Sequence, residues 1–429
     1  MADGSTLFGT ELRRLRTEAG VSLAQLASVV HYSKGYLSKI ENGHKQPQLD
    51  LARRCDVELH ADGVLARLLM APPGHMHLAE SSDDEEVWMM NLAADGEGRF
   101  RPMARREALA LGAGAAFGIG MGVPARGRSV QRTAIGVFRS QFDQLRILGQ
   151  AASPDIVLPS VIAQTHTLRV LAGQASGAEA AELLQLAARC AEYAGWMTQE
   201  AGDERGALWW TDRAVAMAKV AGDRDLAEYA LVRRALVAFY RDDADQTITL
   251  ARQAQEGVVP PRIRGLAAQR EAQGFALAGD YDSCMRLLDR ARPLLQSSVD
   301  DAPGPSAPVL GTTNLSDPAA MTNGWCLIDL GRPRDAVAIL DQQVGLVPEH
   351  ALRTRARYGM RQALAYALLG EIERACEIAG DLIEPMSIVG SATVVKDLRR
   401  LKQVLSRFHQ HSSVRDLYPR LTAELSAVG

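Results

Sequence analysis

The chain has 429 residues and a formal net charge of −3, and 47% of its residues are hydrophobic but only 5% aromatic. This length suffices for two or three domains with a substantial buried core, and an alanine-rich composition suits helix packing better than sheets. The five cysteines lie far apart, which excludes a Cys-x-x-Cys motif and predicts a reduced cytoplasmic protein. The first sixteen residues contain no apolar signal core, so secretion is not expected.

The stretch from Ser22 to Gly43 predicts two short helices joined by a tight turn. Apolar residues recur at helical spacing on both sides of a polar interruption at residues 31–33. Ser33 is placed to cap the second helix, and Asn42-Gly43 to end it. Two helices joined by so short a turn cross steeply, which leaves the second helix free to enter a DNA major groove.

Residues from about Leu7 to Met70 resemble the lambda-repressor, Cro and Xre type of DNA-binding domain. The resemblance rests on the string S-x-x-x-x-A-x5-S-x-x-Y-L-S-K-I-E-N-G, which begins at Ser22. It implies five helices, at about Thr6–Ala19, Ser22–Val29, Ser33–Asn42, Leu49–Val57 and Ala61–Met70. It also implies that the start of the second short helix faces bases. The DNA-binding residues expected on this basis are Ser33, Lys34, Gly35, Tyr36, Ser38, Lys39, Lys45 and Gln25.

Two positions depart from that family's pattern. Leu23 stands where the family often has glutamine, and His31 stands at a turn position that is often glycine. A non-glycine residue there needs either a positive φ or an altered turn. Arg16 and Glu41 match a helix-locking ion pair of the family, although two solvated surface charges are the alternative.

Charge in the first 72 residues is nearly balanced. They contain nine lysines and arginines against eight aspartates and glutamates. So small a surplus predicts weak non-specific DNA binding, and therefore a homodimer that reads two half-sites.

Residues 73–129 are predicted to be a linker between domains. Pro72-Pro73-Gly74 breaks regular structure, and an acidic run follows at Glu80–Glu86. His75 and His77 could hold a metal, but solvent-facing histidines are the favoured interpretation, and no metal or other cofactor is expected. The uncharged run Leu109–Val123 is too short to span a membrane and is predicted to be a packed Gly/Ala helix, with an export-like or membrane segment as the alternative.

From residue 130 to 429 the sequence predicts repeated helical hairpins. Turn residues recur at Gly202-Asp203, Asp242-Asp243, Gly279-Asp280, Gly331-Arg332 and Gly370-Glu371. A small residue precedes each turn by seven positions, at Gly195, Ala235, Ala272, Gly324 and Ala363. Another follows it by five, at Ala207, Thr247, Cys284, Ala336 and Ala375. Such pairs let antiparallel helices approach closely.

This pattern resembles the tetratricopeptide repeat, although the spacing exceeds the family's usual length of about 34 residues. The predicted fold is therefore all-α, with a five-helix lambda-repressor-like domain at residues 1–72 followed by a tetratricopeptide-like α-solenoid. In that family's register, first helices line a groove that suits an extended peptide, with inter-repeat core as the alternative interpretation. The effector-binding residues expected there are Arg189, Glu192, Trp196, Gln199, Tyr229, Gln269, Gln273, Trp325 and Arg357.

The leading functional hypothesis is a cytoplasmic, sequence-specific transcriptional regulator of actinobacterial type. It would bind double-stranded operator DNA as a homodimer and sense a peptide, small-molecule or protein effector through its repeats. The alternative is an adaptor, for example of a sigma or anti-sigma factor, in which DNA binding is secondary. No catalytic triad, metal or phosphate-loop pattern is present in the sequence, so an enzyme is not expected.

Overall fold

The computed structural model describes residues 4–61, 63–69, 86–92, 98–104, 132–300 and 310–427. They fall into two compact units: residues 1–72, 227–305 and 309–429 form the first, and residues 73–226 with 306–308 form the second. The predictions for the linker as far as residue 85, for His75 and His77, and for Leu109–Val123 lie outside the described residues.

The first unit begins with a five-helix domain, which we call the head (residues 4–69). Its helices are α1 (Gly4–Glu18), α2 (Leu23–Val29), α3 (Lys34–Glu41), α4 (Leu49–Glu58) and α5 (Val64–Leu69). Phe8, Leu12, Leu26, Leu37 and Leu51 are fully buried at its centre. The five helices lie close to the positions that the family resemblance implies, and their apolar residues meet in one core.

The described residues of the second unit form a β-hairpin and four helices. Strand β1 (Glu86–Leu92) pairs antiparallel with β2 (Gly98–Ala104), with Glu86 opposite Ala104 and Leu92 opposite Gly98. The helices are α6 (Arg132–Ala151), α7 (Pro154–Gln174), α8 (Gly177–Glu200) and α9 (Glu204–Val220), and each packs on the next.

The hairpin was not predicted, since the region was interpreted only as a linker. The sequence does carry a signal for it, because Asp95-Gly96 stands between the two strand segments. Asp-Gly flanked by apolar runs is a strong short-range indication of a hairpin turn. The neighbouring acidic run obscured that signal.

The remainder of the first unit is a succession of helices, and we call its residues 227–427 the array. Its helices are α10 (Arg224–Tyr240), α11 (Ala244–Gln253), α12 (Pro261–Ala278), α13 (Tyr281–Asp300), α14 (Pro318–Asp329), α15 (Pro333–Gly345), α16 (Leu352–Leu368), α17 (Ile372–Val389), α18 (Ala392–Leu405) and α19 (Ser412–Ala427). A 3₁₀ turn, Ser406–Phe408, precedes α19. Helix α12 packs on α14, α14 on α16 and α16 on α18, as successive first helices of a solenoid do.

All five predicted hairpin turns are present. The first turn residue has a positive φ every time, from 59° at Asp242 to 88° at Gly202. Glycine adopts this conformation without steric cost, which explains its recurrence at four of the five turns.

The predicted small residues lie at the close approaches between paired helices. A Cβ added to Gly195 would lie 3.2 Å from the carbonyl oxygen of Ala207, and one added to Gly324 would lie 2.8 Å from Leu340. The partners Ala336, Ala363 and Ala375 are fully buried. The predicted helical, solenoid-like architecture is thus confirmed, and no helix within the described ranges combines the length and apolarity of a membrane span.

Candidate nucleic-acid interface

Local hydrogen bonds cap the N-termini of α2 and α3. Ser22 Oγ accepts the N–H of Gln25 at 3.2 Å, and Gln25 Oε1 accepts the N–H of Ser22 at 2.8 Å, which completes a capping box. Ser33 Oγ accepts the N–H of Tyr36 at 3.2 Å and so caps α3 as predicted. His31 has a φ of 54°, so the unusual residue at the turn is accommodated by a positive φ and not by an altered turn.

Helix α3 buries one face in the head and presents the other to solvent. Leu37 and Ile40 are fully buried, whereas Lys34, Gly35 and Lys39 are exposed. No atom lies within 4 Å of a Cβ built on Gly35. The side chains of Lys34 and Lys39 and the backbone at Gly35 are therefore accessible from solvent.

The predicted DNA-binding residues divide into two groups. Six are exposed, namely Ser33, Lys34, Gly35, Lys39, Lys45 and Gln25. Tyr36 and Ser38 are only half-buried. Three lysines on or near one helix provide a local cationic surface in a domain whose charge is otherwise nearly balanced, which suits phosphate and guanine contacts.

Tyr36 has a packing role in addition to the predicted one. Its ring centroid lies 5.1 Å from that of Tyr32, and the ammonium of Lys45 lies 4.8 Å from the Tyr36 ring centroid. Burial raises the pKa of the Tyr36 hydroxyl. Tyr36 therefore also positions Lys45 through a cation–π contact.

The predicted ion pair between α1 and α3 is present. Arg16 Nε lies 2.7 Å from Glu41 Oε1, and the Glu41 side chain is only 4% exposed. Sequence reasoning missed Arg13, whose Nε lies 3.3 Å from Glu41 Oε2 and whose Nη2 donates to Asn42 Oδ1 at 2.6 Å. Two arginines of α1 thus hold the C-terminal end of α3.

A buried carboxylate supports α5. Asp56 Oδ1 and Oδ2 accept the N–H groups of Leu65 and Ala66 at 2.8 and 2.9 Å. Burial nevertheless raises the pKa of Asp56 to about 6. The sequence contained no signal for this cap, because the carboxylate lies nine residues before Leu65, whose N–H it accepts.

We expect the Asp56 carboxyl to titrate in the folded head with a midpoint near pH 6, against about 3.9 in an unfolded chain. The native state then binds this proton between about pH 4 and 6 while the unfolded chain does not. The group's contribution to head stability therefore falls as pH rises through that window and is constant above it. A carboxyl-carbon NMR titration tests this, with Asp56→Asn to assign the resonance. A midpoint at the unfolded value would contradict it.

The nine predicted effector-binding residues fall in both units. Arg189, Glu192, Trp196 and Gln199 belong to the second unit, and Tyr229, Gln269, Gln273, Trp325 and Arg357 belong to the first. Six of the nine are buried, namely Arg189, Gln199, Tyr229, Gln269, Gln273 and Trp325.

Several of these residues already contact other residues of the chain. Arg189 pairs with Asp223 at 2.8 Å, and Gln269 Nε2 donates to Thr322 Oγ1 at 3.1 Å. The Trp325 ring packs beside Phe239. These contacts match the inter-repeat core alternative for individual residues, and the effector-binding set remains a prediction.

The similarity to a known protein family lies in the head. Residues 7–69 match the family model described as "Helix-turn-helix domain". No curated protein matches the chain. The matched segment coincides with α1–α5, so the N-terminal domain is a helix-turn-helix domain.

Proposed function

We propose that the protein is a sequence-specific DNA-binding transcriptional regulator. The observation that carries the proposal is a helix-turn-helix domain whose α3 presents Lys34, Gly35 and Lys39 to solvent on a buried apolar base. Lysines can donate to guanine O6 and N7 or to phosphates, and a glycine lets the DNA approach the backbone closely.

The proposal includes a homodimer whose helical repeats, of tetratricopeptide type, sense a peptide, small-molecule or protein effector. The near balance of charge in residues 1–72 supports dimerisation, because one head would make few net phosphate contacts. The proposal includes no catalytic activity and places the protein in the cytoplasm.

The direct test is a mobility-shift assay of the full-length protein on genomic fragments at low salt. Selective retardation of some fragments over others supports the proposal. No sequence-selective shift would contradict it and would favour the adaptor alternative. Sedimentation equilibrium of the free protein tests the dimer separately.

Lys39→Ala should weaken binding to a selected fragment by about 1–3 kcal/mol if the lysine reads a base. A phosphate contact should instead weaken binding to all fragments evenly and reduce the salt dependence. Titrating labelled DNA at two salt concentrations distinguishes the two. Lys219→Ala, at an exposed lysine of α9, is the matched control. Unchanged binding by Lys39→Ala would remove this residue from the interface.

A further inference from the structure

The head contacts the array at three successive hairpin turns. The contacts pair Gly279 with Gly63, Gly331 with Arg53 and Gly370 with His31. A Cβ at Gly331 would lie 2.6 Å from the carbonyl oxygen of Arg53, and a Cβ at Gly279 would lie 2.7 Å from the Cα of Gly63. Two of the turns therefore contact the backbone of the head, and the third contacts the imidazole of His31.

Beside these turns lies a buried ionic cluster that joins the head to the array. Its members are Asp50 and Arg53 of the head and Asp329, Arg361, Asp397 and Arg400 of the array. Three carboxylates face three guanidinium groups, so the cluster is electrically neutral. This balance lets charged groups remain buried in both domains.

Asp329 lies at the centre of the ionic cluster. Its Oδ1 lies 2.9 Å from Arg361 Nη1, 3.0 Å from Arg400 Nη1 and 3.3 Å from Arg53 Nη1. Burial alone would raise the pKa of Asp329, but the three guanidinium groups outweigh it and hold that pKa far below its usual range. Arg400 then extends to the head, where its Nη2 lies 2.6 Å from Asp50 Oδ1.

The ionic cluster also reaches the predicted effector groove. The Arg361 guanidinium carbon lies 3.9 Å from the centroid of the Trp325 ring, which is 2% exposed. Arg361 Nε also lies 2.7 Å from Asp397 Oδ1. A continuous set of contacts thus runs from Trp325 through Arg361 and Asp329 to helix α4 of the head.

The junction between head and array is polar and incompletely packed. Among the described residues, the apolar cluster around Phe8 consists only of head residues, and the array cluster around Leu364 contains none of them. Arg53 Nε and Nη2 and Asp329 Oδ2 are buried without a hydrogen-bond partner in the described part of the chain. A cavity of about 90 Å³ lies beside them, lined by Val57 and His60 of the head and by Tyr281 and Arg332 of the array. Such interfaces permit relative motion of the domains they join.

We propose that the ionic cluster is a reversible latch that couples Trp325 to the orientation of the DNA-reading head. A ligand that displaces Arg361 from the Trp325 ring breaks the contact between Arg361 and Asp329. The movement of Asp329 that follows separates it from Arg53 and so loosens the head. The consequence for DNA binding rests on the proposed function, whereas head docking can be measured without DNA. Loosening costs the preorganisation of paired heads and lowers affinity for a two-half-site operator.

The test measures the distance between spin labels at Ala19→Cys on the head and Glu373→Cys on the array in the full chain. Both positions are exposed, whereas the five native cysteines are buried, so the labels attach selectively. Labelled chains are diluted in an excess of unlabelled protein, so that distances are measured within one chain, and the parent should then give one narrow distance distribution. Asp50→Asn with Arg53→Met should broaden it. Glu11→Gln with Arg14→Met, which removes an exposed pair within α1, should not.

A second variant addresses the turns without changing any charge. Gly331→Ala places a methyl group against the backbone of Arg53 and should broaden the distribution. Gly222→Ala is the matched control, because Gly222 has the same φ of 75° but no atom within 4 Å of the added Cβ. Hydrogen exchange of α1–α3 amides shows whether the head remains folded.

Coupling to the groove is tested by a double-mutant cycle. Trp325→Leu should broaden the distribution in the parent but add little to Asp50→Asn with Arg53→Met. Phe239→Leu, which removes a ring beside Trp325, is the control. Unchanged distributions in the latch variants would overturn the latch, and no effect of Trp325→Leu would overturn its coupling. If the parent protein did not bind DNA selectively, the proposed function would be contradicted, but the distances measured between head and array would still test the latch.

Discussion

Asp329→Asn is expected to destabilise the array by about 3–5 kcal/mol, the cost of removing one partner from a buried ion cluster. The Asp329 side chain is 1% exposed and contacts three guanidinium groups. The substitution leaves one net positive charge in the interior. Arg361 retains Asp397 and Arg400 retains Asp50, but Arg53 loses its carboxylate partner.

Hydrogen exchange of the α14 and α16 amides in the full chain measures this effect, because a global unfolding midpoint would mix several domains. Asp335→Asn is the control, since Asp335 is exposed at the start of α15 and lies 3.8 Å from Arg332. We expect a change within about 0.5 kcal/mol for that variant. Equal exchange in the two variants would mean that the ionic cluster contributes nothing to the array.

Glu41→Gln is expected to destabilise the head by about 3 kcal/mol, near the lower end for a buried ion pair. The lower end applies because Arg13 and Arg16 are 51% and 16% exposed and can be partly solvated once Glu41 is neutral. Arg16 also keeps its bond to the carbonyl oxygen of Val21 at 2.9 Å. The loss should appear as faster exchange of the α1 and α3 amides.

Glu18→Gln provides the matched control for Glu41→Gln. Glu18, like Glu41, is a glutamate paired with an arginine of α1. Its side chain is 60% exposed, however, and its partner Arg14 is 49% exposed. An exposed pair of this kind contributes less than about 1 kcal/mol. If Glu41→Gln were as mild as Glu18→Gln, the link between α1 and α3 would be unimportant for stability.

Local features of the head were predictable from sequence. Helix positions follow from apolar spacing, and the caps at Ser22 and Ser33 follow from hydroxyl side chains before each helix. At His31, where the family often has glycine, either a positive φ or an altered turn was expected, and the residue has the positive φ. The hairpin turns of the array were also predictable, because a turn residue and two small residues recur together.

Other features were not predictable from these patterns. The hairpin of β1 and β2 was missed beside an acidic run. The residues expected to line a groove include several that are buried between helices, because a tryptophan or glutamine at helical spacing has the same pattern in a groove as in a core. Spacing indicates which face of a helix a residue occupies but not what covers that face.

The helices, their caps and the repeated turns follow from the order of residues along the chain, because each depends on residues within about one or two helical turns of one another. The surface on which the head rests depends instead on contacts between distant segments. Arg53 meets Asp329 across 276 positions and Asp50 meets Arg400 across 350. No periodicity connects such residues, so their pairing arises only when the array brings Asp329 of α14, Arg361 of α16 and Arg400 of α18 to one place beside α4.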